Sequence, residues 1–125
     1  MVRTLILVGL GGGLGSILRY LTSIFIAKYY QTTFPLSTFI INILGSLLIG
    51  VFIGYFDRQQ LANKDLYYLI ITGFCGGYTT FSTFSSENLS LLQNGNVLLA
   101  ITYMTLSVLF CLLAVWFGYY LTKIF

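Results

Sequence analysis

Four long apolar stretches, almost free of charge, constrain the fold of this chain more than any other feature. They cover residues 3–28, 34–56, 66–92 and 97–124. One membrane crossing by a helix needs about 20 apolar residues, so each stretch is long enough. Strands of a membrane barrel are segments of about ten residues that alternate in polarity, and these stretches are too long and too uniform for that. The sequence therefore predicts an all-α membrane protein, with one domain of four transmembrane helices over residues 1–125.

The charged residues are too few for a water-soluble domain. They make up 7% of the chain, whereas ordinary soluble domains carry about 25%. The net charge of +3 comes from scattered residues, and without a basic stripe no nucleic-acid partner is expected. The chain has no His, which excludes His-based catalysis and His metal ligands. The remaining interpretation is an integral membrane protein that spans the lipid bilayer.

The distribution of Lys and Arg gives a weak signal of orientation. With four crossings, both termini and the connection Asp57–Asp65 lie on the same side of the membrane. That side carries four basic residues, which are Arg3, Arg58, Lys64 and Lys123. The opposite side carries Lys28. Because basic residues favour the cytoplasmic side, the bias favours cytoplasmic termini.

Glycines recur at helical spacing in the first two stretches. Gly9 and Gly13, like Gly11 and Gly15, are four residues apart, and Ser46, Gly50 and Gly54 repeat the spacing. The first group does not satisfy the G-x-G-x-x-G phosphate-binding pattern. Small residues at this spacing let membrane helices approach closely, so we interpret all of these positions as packing surfaces.

Two polar side chains lie inside apolar stretches, where they cost free energy. Arg19 either extends to an interface or lines an aqueous vestibule that attracts an anion. Asn42 lies among Ile and Leu residues, and its amide needs hydrogen-bond partners. It forms either a polar clamp between helices or a donor directed at a pore, and the sequence leaves both alternatives open.

The third stretch contains the strongest local signal, between Gly73 and Glu87. Gly76 and Gly77 are followed closely by Thr79 and Thr80, a combination that disfavours a continuous helix. A helix break near Gly76–Thr79 would free backbone carbonyls, which can then bind a cation. After the break, Phe81 and Phe84 share one helical face, and a second face carries hydroxyl groups and an acid: Thr80, Thr83 and Glu87.

A polar stripe follows in the fourth stretch. Tyr103, Ser107 and Cys111 are spaced four residues apart, so they share one side of a helix. Hydroxyl groups are firm hydrogen-bonding groups and a thiol is a weak one. We interpret Cys75 and Cys111 as small packing residues rather than as a disulfide or a metal site.

These motifs together resemble the small fluoride channels of the Fluc or CrcB family. The resemblance covers the whole chain, with four helices and short connections. Three segments carry it in order: residues 12–20, which read GGLGSILRY, then Asn42 with Gly45, and residues 73–84, which read GFCGGYTTFSTF. The last segment is highly specific.

The resemblance implies an antiparallel, dual-topology homodimer with two pores and a central structural Na⁺ that is not transported. It implies that backbone carbonyls of Gly76 and Thr79 bind the Na⁺ and that Phe81 and Phe84 line the pores. Asn42 is implied to donate a hydrogen bond to the ion, and Thr80 and Ser107 are implied to form part of a polar track. Tyr103 is implied to lie beside that track, and Arg19 is implied to lie in the pore vestibule.

The implied function is passive efflux of fluoride, which lowers its cytoplasmic concentration. The resemblance thus implies a channel in the cell membrane rather than an enzyme. Cys111 stands where the family often has a hydroxyl, and the charge bias also fits one half of a heterodimer of paralogs. The main alternative is a small four-helix multidrug/proton exchanger, which resembles this chain in size but uses an acid in its first helix. The first stretch has no Asp or Glu, and Glu87 is the only candidate acid in the apolar stretches. A purely structural subunit is a third alternative, disfavoured by the costly polar track.

Overall fold

The computed structural model describes residues 1–59 and 64–124. Every regular element in this part of the chain is a helix. Three helices are long and apolar enough to cross a membrane: α1 (Val2–Tyr29), α2 (Leu36–Arg58) and α6 (Val97–Ile124). The prediction of an all-α chain with apolar membrane spans is thereby confirmed.

The third apolar stretch folds as a series of shorter helical elements. These are α3 (Lys64–Tyr67), a π-helical segment (Tyr68–Cys75), α4 (Gly76–Tyr78) and α5 (Phe81–Gln93). Between α4 and α5, Thr79 has φ −83° and ψ 159°, and Thr80 has φ −150° and ψ 121°. These angles are those of extended backbone. The chain therefore leaves helical geometry for two residues, directly after the Gly-Gly-Tyr turn.

The connections between the helices are short where the structure describes them. Pro35, whose ring restricts φ, lies immediately before α2, so this helix begins two residues later than the sequence pattern predicts. The second connection was predicted at 57–65; α2 continues through Arg58, and residues 60–63 lie outside the described part. The third connection turns at Gly95, whose φ of 77° favours glycine. There the Asn96 N–H donates to the Leu91 carbonyl at 2.9 Å.

Close helix packing depends on glycines at two places. α2 and α6 lie side by side, and a Cβ atom added at Gly50 would clash with the backbone of Val115. α1 packs against the π-helical segment and α4, and Cβ atoms at Gly11 or Gly15 would clash with the backbone of the third stretch. The predicted role of these three glycines in helix packing is confirmed.

The other glycine pair of α1 lies away from these contacts. Apart from the backbone of α1 itself, a Cβ atom at Gly9 or Gly13 would have no atom of the described residues within 4 Å. The helical spacing places this pair on a different side of α1 from Gly11 and Gly15. Close packing at Gly9 and Gly13 therefore stays a prediction.

Most large apolar side chains lie on the outside, as expected for a surface that faces lipid rather than water. The small hydrophobic core lies between α5 and α6. Its buried members, Phe84, Leu91, Ala100 and Tyr103, are packed against Phe34, Phe39, Leu99 and Met104. This cluster fixes α5 against α6, just beyond the extended residues.

We expect Gly50→Ala to destabilise the protein by about 1–3 kcal/mol, because the added methyl group forces the backbones of α2 and α6 apart. Gly13→Ala is the matched control, since its methyl group meets no described residue outside α1 within 4 Å and improves helix propensity by up to about 1 kcal/mol. Thermal unfolding of both purified variants in detergent measures the difference. Equal loss of stability in the two variants would contradict the packing described for Gly50.

Candidate functional site

A cleft with a mixed polar and apolar lining opens beside the extended residues and has a volume of about 250 Å³. It lies between α2, the Thr79–Thr80 segment, the start of α5 and the middle of α6. The residues that line it are Asn42, Ser46, Ile49, Thr79, Thr80, Phe81, Phe84, Ser107, Val108 and Cys111. Six of the predicted site residues are therefore brought together here. Gly76, Tyr103 and Arg19 are not among the lining residues that the structure describes.

The side chain of Asn42 holds the extended segment in place. Its Oδ1 atom accepts the N–H of Thr80 at 2.8 Å, and its Nδ2 atom donates to the carbonyl of Thr80 at 3.0 Å. One amide thus satisfies both backbone groups of a residue that has left the helix. This is the clamp alternative of the sequence interpretation. An amide has two N–H groups, so the second remains available for the cleft that Asn42 also lines.

These side-chain bonds release two backbone carbonyls from helical hydrogen bonds. In a continuous helix the N–H of Thr80 would bind the Gly76 carbonyl, and the N–H of Thr83 would bind the Thr79 carbonyl. Here the Thr80 N–H goes to Asn42 Oδ1, and the Thr83 N–H goes to Thr80 Oγ1 at 3.2 Å. The two released carbonyls, those of Gly76 and Thr79, are the ones that the family resemblance assigns to Na⁺.

Arg19 contacts one of these released carbonyls. Its Nη1 atom donates to the Thr79 carbonyl at 3.3 Å, and the side chain is half-buried. Ser16, one turn earlier on the same helix, donates to the Gly77 carbonyl at 3.4 Å. The guanidinium thus lies beside the exposed carboxyl end of α4, where the helix dipole favours positive charge.

The hydroxyl of Thr80 is engaged in capping α5. It accepts the Thr83 N–H, and it also donates to Thr83 Oγ1 at 3.1 Å. This N-cap arrangement is typical of threonine and starts the helix at Phe81. A role for Thr80 as a donor along the polar track therefore requires its hydroxyl to rotate away from Thr83.

The two phenylalanines lie next to each other but differ in exposure. The ring centroids of Phe81 and Phe84 are 5.5 Å apart, at an angle of 40°. Phe84 is 9% exposed and packs against Tyr103 at 5.1 Å. Phe81 is 78% exposed, so the chain alone leaves one side of this ring uncovered.

The polar stripe on α6 is divided between two environments. Ser107 is buried, and its Oγ atom has no hydrogen-bond partner among the residues that the structure describes. Cys111, one turn further on, is half-buried and also lines the cleft. Tyr103 is fully buried instead, and its hydroxyl donates to Glu87 Oε2 at 2.8 Å.

Glu87 has two hydroxyl partners inside the protein. Tyr103 binds one carboxyl oxygen, and Thr38 Oγ1 donates to the other at 2.7 Å. The sequence interpretation assigned no role to Thr38, and it treated Ser46, which lines the cleft, only as a packing position. Both positions were detectable, because Thr38, Asn42 and Ser46 are four residues apart and therefore form a polar stripe on α2.

The chemistry available at this site is hydrogen bonding rather than acid–base or metal chemistry of side chains. Within residues 1–59 and 64–124 no group of three or more His, Cys, Asp or Glu could hold a metal ion. The cleft instead offers amide and hydroxyl donors, and the adjacent helix end offers carbonyl oxygens. Such groups replace the hydration shell of a small ion in membrane pores. Fold and site thus define a multi-pass helical membrane protein with a cleft that carries hydrogen-bond donors beside the extended residues Thr79 and Thr80.

The chain belongs to the CrcB family. The family model described as "CrcB-like protein, Camphor Resistance (CrcB)" matches residues 6–119, which is nearly the whole chain. The resemblance identified from the three sequence segments is therefore confirmed.

Curated relatives match over almost their full length. A protein of Flavobacterium psychrophilum named "Fluoride-specific ion channel FluC" is 52% identical over 122 residues, which cover 98% of each chain. Proteins of the same name from Azobacteroides pseudotrichonymphae and Phocaeicola vulgatus are 40% and 44% identical, over 100% and 98% of this chain and 100% of their own lengths. The relatives are named for ion conduction, which is not an enzymatic function.

We expect Asn42→Ala to lower the free energy of unfolding by about 1–3 kcal/mol for each Thr80 backbone group left unsatisfied. Ser46→Ala is the matched control, because Ser46 lines the same cleft one turn further along α2. Thermal unfolding in detergent compares the two variants. Similar stability of both variants would show that the extended segment does not depend on the amide.

Proposed function

We propose that this chain forms a fluoride-specific ion channel through which fluoride leaves the cytoplasm passively. The observation that carries the proposal is the cleft at Thr79–Thr80, lined by amide and hydroxyl groups in a chain whose relatives are named fluoride-specific ion channels. Fluoride is small and strongly hydrated, so a pore must offer donors in place of water. Passive flow down its gradient lowers cytoplasmic fluoride without an energy source.

Ser107 supports this assignment through its missing partner. A buried hydroxyl without a hydrogen bond costs about 1–3 kcal/mol, and the Oγ atom of Ser107 carries this cost beside the cleft. An anion at this position would accept its hydrogen bond. The free N–H of Asn42 offers a second donor across the cleft.

The helix ends around the extended segment favour ions of opposite sign. The amino-terminal end of α5 favours an anion, and the carboxyl-terminal end of α4 favours a cation. Discontinuous membrane helices use their ends in this way in transporters. We propose that the third span is such a broken transmembrane helix, with fluoride on one side of the break and Na⁺ on the other.

Phe81 and Phe84 fit a role as ring-edge contacts for the anion. The edge of an aromatic ring carries positive partial charge, and both rings line the cleft. An apolar wall of this kind also lowers the effective dielectric constant around the ion, so the donors of the cleft interact with it more strongly.

A second copy of the chain completes the pore in this proposal. The cleft is open, and Phe81 beside it is 78% exposed. An antiparallel homodimer, as the resemblance implies, would give two pores and bring two interrupted helices together. The excess of basic residues on one side leaves a paralogous partner chain as the alternative.

The carbonyls of Gly76 and Thr79 from both chains are the proposed ligands of a structural Na⁺ at the dimer centre. The donor set fits, because Na⁺ takes carbonyl oxygen and the bonds of Asn42 and Thr80 release these two oxygens. Arg19 is the one conflict, since it occupies the Thr79 carbonyl. Na⁺ binding at this carbonyl therefore requires the guanidinium of Arg19 to move away. In its vestibule role, the guanidinium would lie at the mouth of the cleft.

The multidrug/proton exchanger is disfavoured by the same geometry. Such proteins use a membrane acid in the first helix, and α1 contains no Asp or Glu. Glu87 is held by Thr38 and Tyr103 and is not among the residues that line the cleft. In a purely structural subunit, the buried Ser107 hydroxyl would cost free energy without serving transport.

We expect liposomes that contain the purified protein alone to release fluoride passively. The donors of the cleft suit a small, strongly hydrated anion, so chloride should be nearly impermeant. A fluoride-selective electrode outside the liposomes measures the release, and a chloride electrode measures the comparison.

Four outcomes test fluoride selectivity, passive flow, the homodimer and the structural Na⁺ separately. Chloride release at a comparable rate would overturn fluoride selectivity, and release that needs a proton gradient would overturn a passive channel. Absence of release from the chain alone, with release after addition of a paralog, would replace the homodimer by a heterodimer. Full release by protein purified and assayed without Na⁺ would remove the structural ion.

We expect Phe81→Ile and Phe84→Ile each to abolish or strongly reduce fluoride release while the dimer stays intact. Isoleucine is similarly apolar but lacks the positive ring edge, so burial alone does not restore the contact. Fluoride release is normalised to the amount of intact dimer, which size-exclusion chromatography measures. Wild-type release from both variants would remove these rings from the ion route.

A further inference from the structure

Cys111 combines two features that the proposed ion route does not explain. The side chain is half-buried rather than enclosed, and it lines the cleft. It lies one helical turn from Ser107, whose hydroxyl is buried, without a partner and in the same cleft. The other cysteine, Cys75, is 0% exposed, so the two thiols of the chain lie in contrasting environments.

We propose that Cys111 is a covalent modification site within the cleft, at which small uncharged electrophiles with a reactive sulfur bind and close the ion route. The effect on ion flow rests on the proposed channel function. The reactivity of the thiol does not, because it depends only on the geometry around Cys111.

Reaction at this position requires water in the cleft. The thiolate, not the thiol, is the nucleophile, and a thiol packed against lipid has no acceptor for its proton. The cleft volume of about 250 Å³ exceeds the share of liquid volume of one water, about 30 Å³, and its lining includes polar groups of Asn42, Thr80 and Ser107. Cys111 thus reacts only if the cleft is wet, whereas Cys75 is closed to water.

The covalent step with methyl methanethiosulfonate is balanced without any further reagent. The Cys111 thiol loses its proton to water, and the thiolate sulfur attacks the sulfenyl sulfur of the reagent. A disulfide bond forms between Cys111 and the methylthio group as the sulfur–sulfur bond of the reagent breaks. Methanesulfinate leaves with the electron pair.

The added methylthio group would stand within one turn of the Ser107 hydroxyl. There it occupies part of the cleft volume and shields a donor that the proposed ion route uses. The structure therefore predicts a reversible block, because a dithiol reductant removes the group and restores the free thiol.

The experiment treats the wild-type protein in liposomes with methyl methanethiosulfonate and measures both the adduct and the fluoride release. Peptide mass spectrometry assigns the adduct to Cys111 or Cys75. Each sample is compared with its own untreated release, and dithiothreitol is then added. Cys75→Ala and Cys111→Ala form a matched pair, since each keeps one of the two thiols.

We expect an adduct on Cys111 alone in the wild type, loss of most of the fluoride release, and recovery with dithiothreitol. Cys75→Ala should behave as the wild type, and Cys111→Ala should carry no adduct. An unmodified Cys111, or equal modification of Cys75, would overturn the site. An adduct on Cys111 with unchanged release would overturn its position on the ion route. If the untreated wild type releases no fluoride, the channel proposal fails, and the mass measurement alone decides whether Cys111 is the reactive thiol.

Discussion

The pair of hydrogen bonds between the Asn42 amide and the backbone of Thr80 supports the rest of the site. A membrane offers no water to an exposed N–H or carbonyl, and each unsatisfied group costs several kcal/mol. An extended residue at this depth therefore needs protein partners. Asn42 provides both of them from a neighbouring helix, at 2.8 and 3.0 Å. Without this clamp, the N–H and the carbonyl of Thr80 would lose the partners that they have in the structure.

The clamp works because two other helices approach the same place. Gly11 and Gly15 let the backbone of α1 reach the third stretch, which brings Arg19 to the Thr79 carbonyl. From the opposite direction α6 contributes Ser107 to the cleft. The small residues thus permit close contact between helices. The polar side chains form hydrogen bonds with the backbone N–H and carbonyl groups that this contact shields from water.

Much of the fold follows from the sequence alone, because apolar length and glycine-rich interruption are local properties. The helical character of the four stretches and the close approach at Gly50 belong to this group. The partners of polar side chains do not, since they depend on how each helix is rotated about its axis. The sequence left Asn42 between a clamp and a pore donor, and it contained no information on the contact between Arg19 and the Thr79 carbonyl. The sequence interpretation also did not identify Thr38 as a partner of Glu87, although Thr38 and Asn42 are four residues apart and therefore share one face of α2.

The extended pair Thr79–Thr80 also determines which faces of α5 point toward α2 and α6. Each residue of an α-helix turns the chain by about 100°. Addition or removal of one residue between α4 and α5 would therefore swing the faces of α5 by more than a quarter of a turn. Phe84 would leave Tyr103, and Glu87 would lose its two hydroxyl partners. The number of residues between the glycine pair and the phenylalanines is therefore fixed by the contacts on both sides of the extended pair, whereas the length of the outer connections is not.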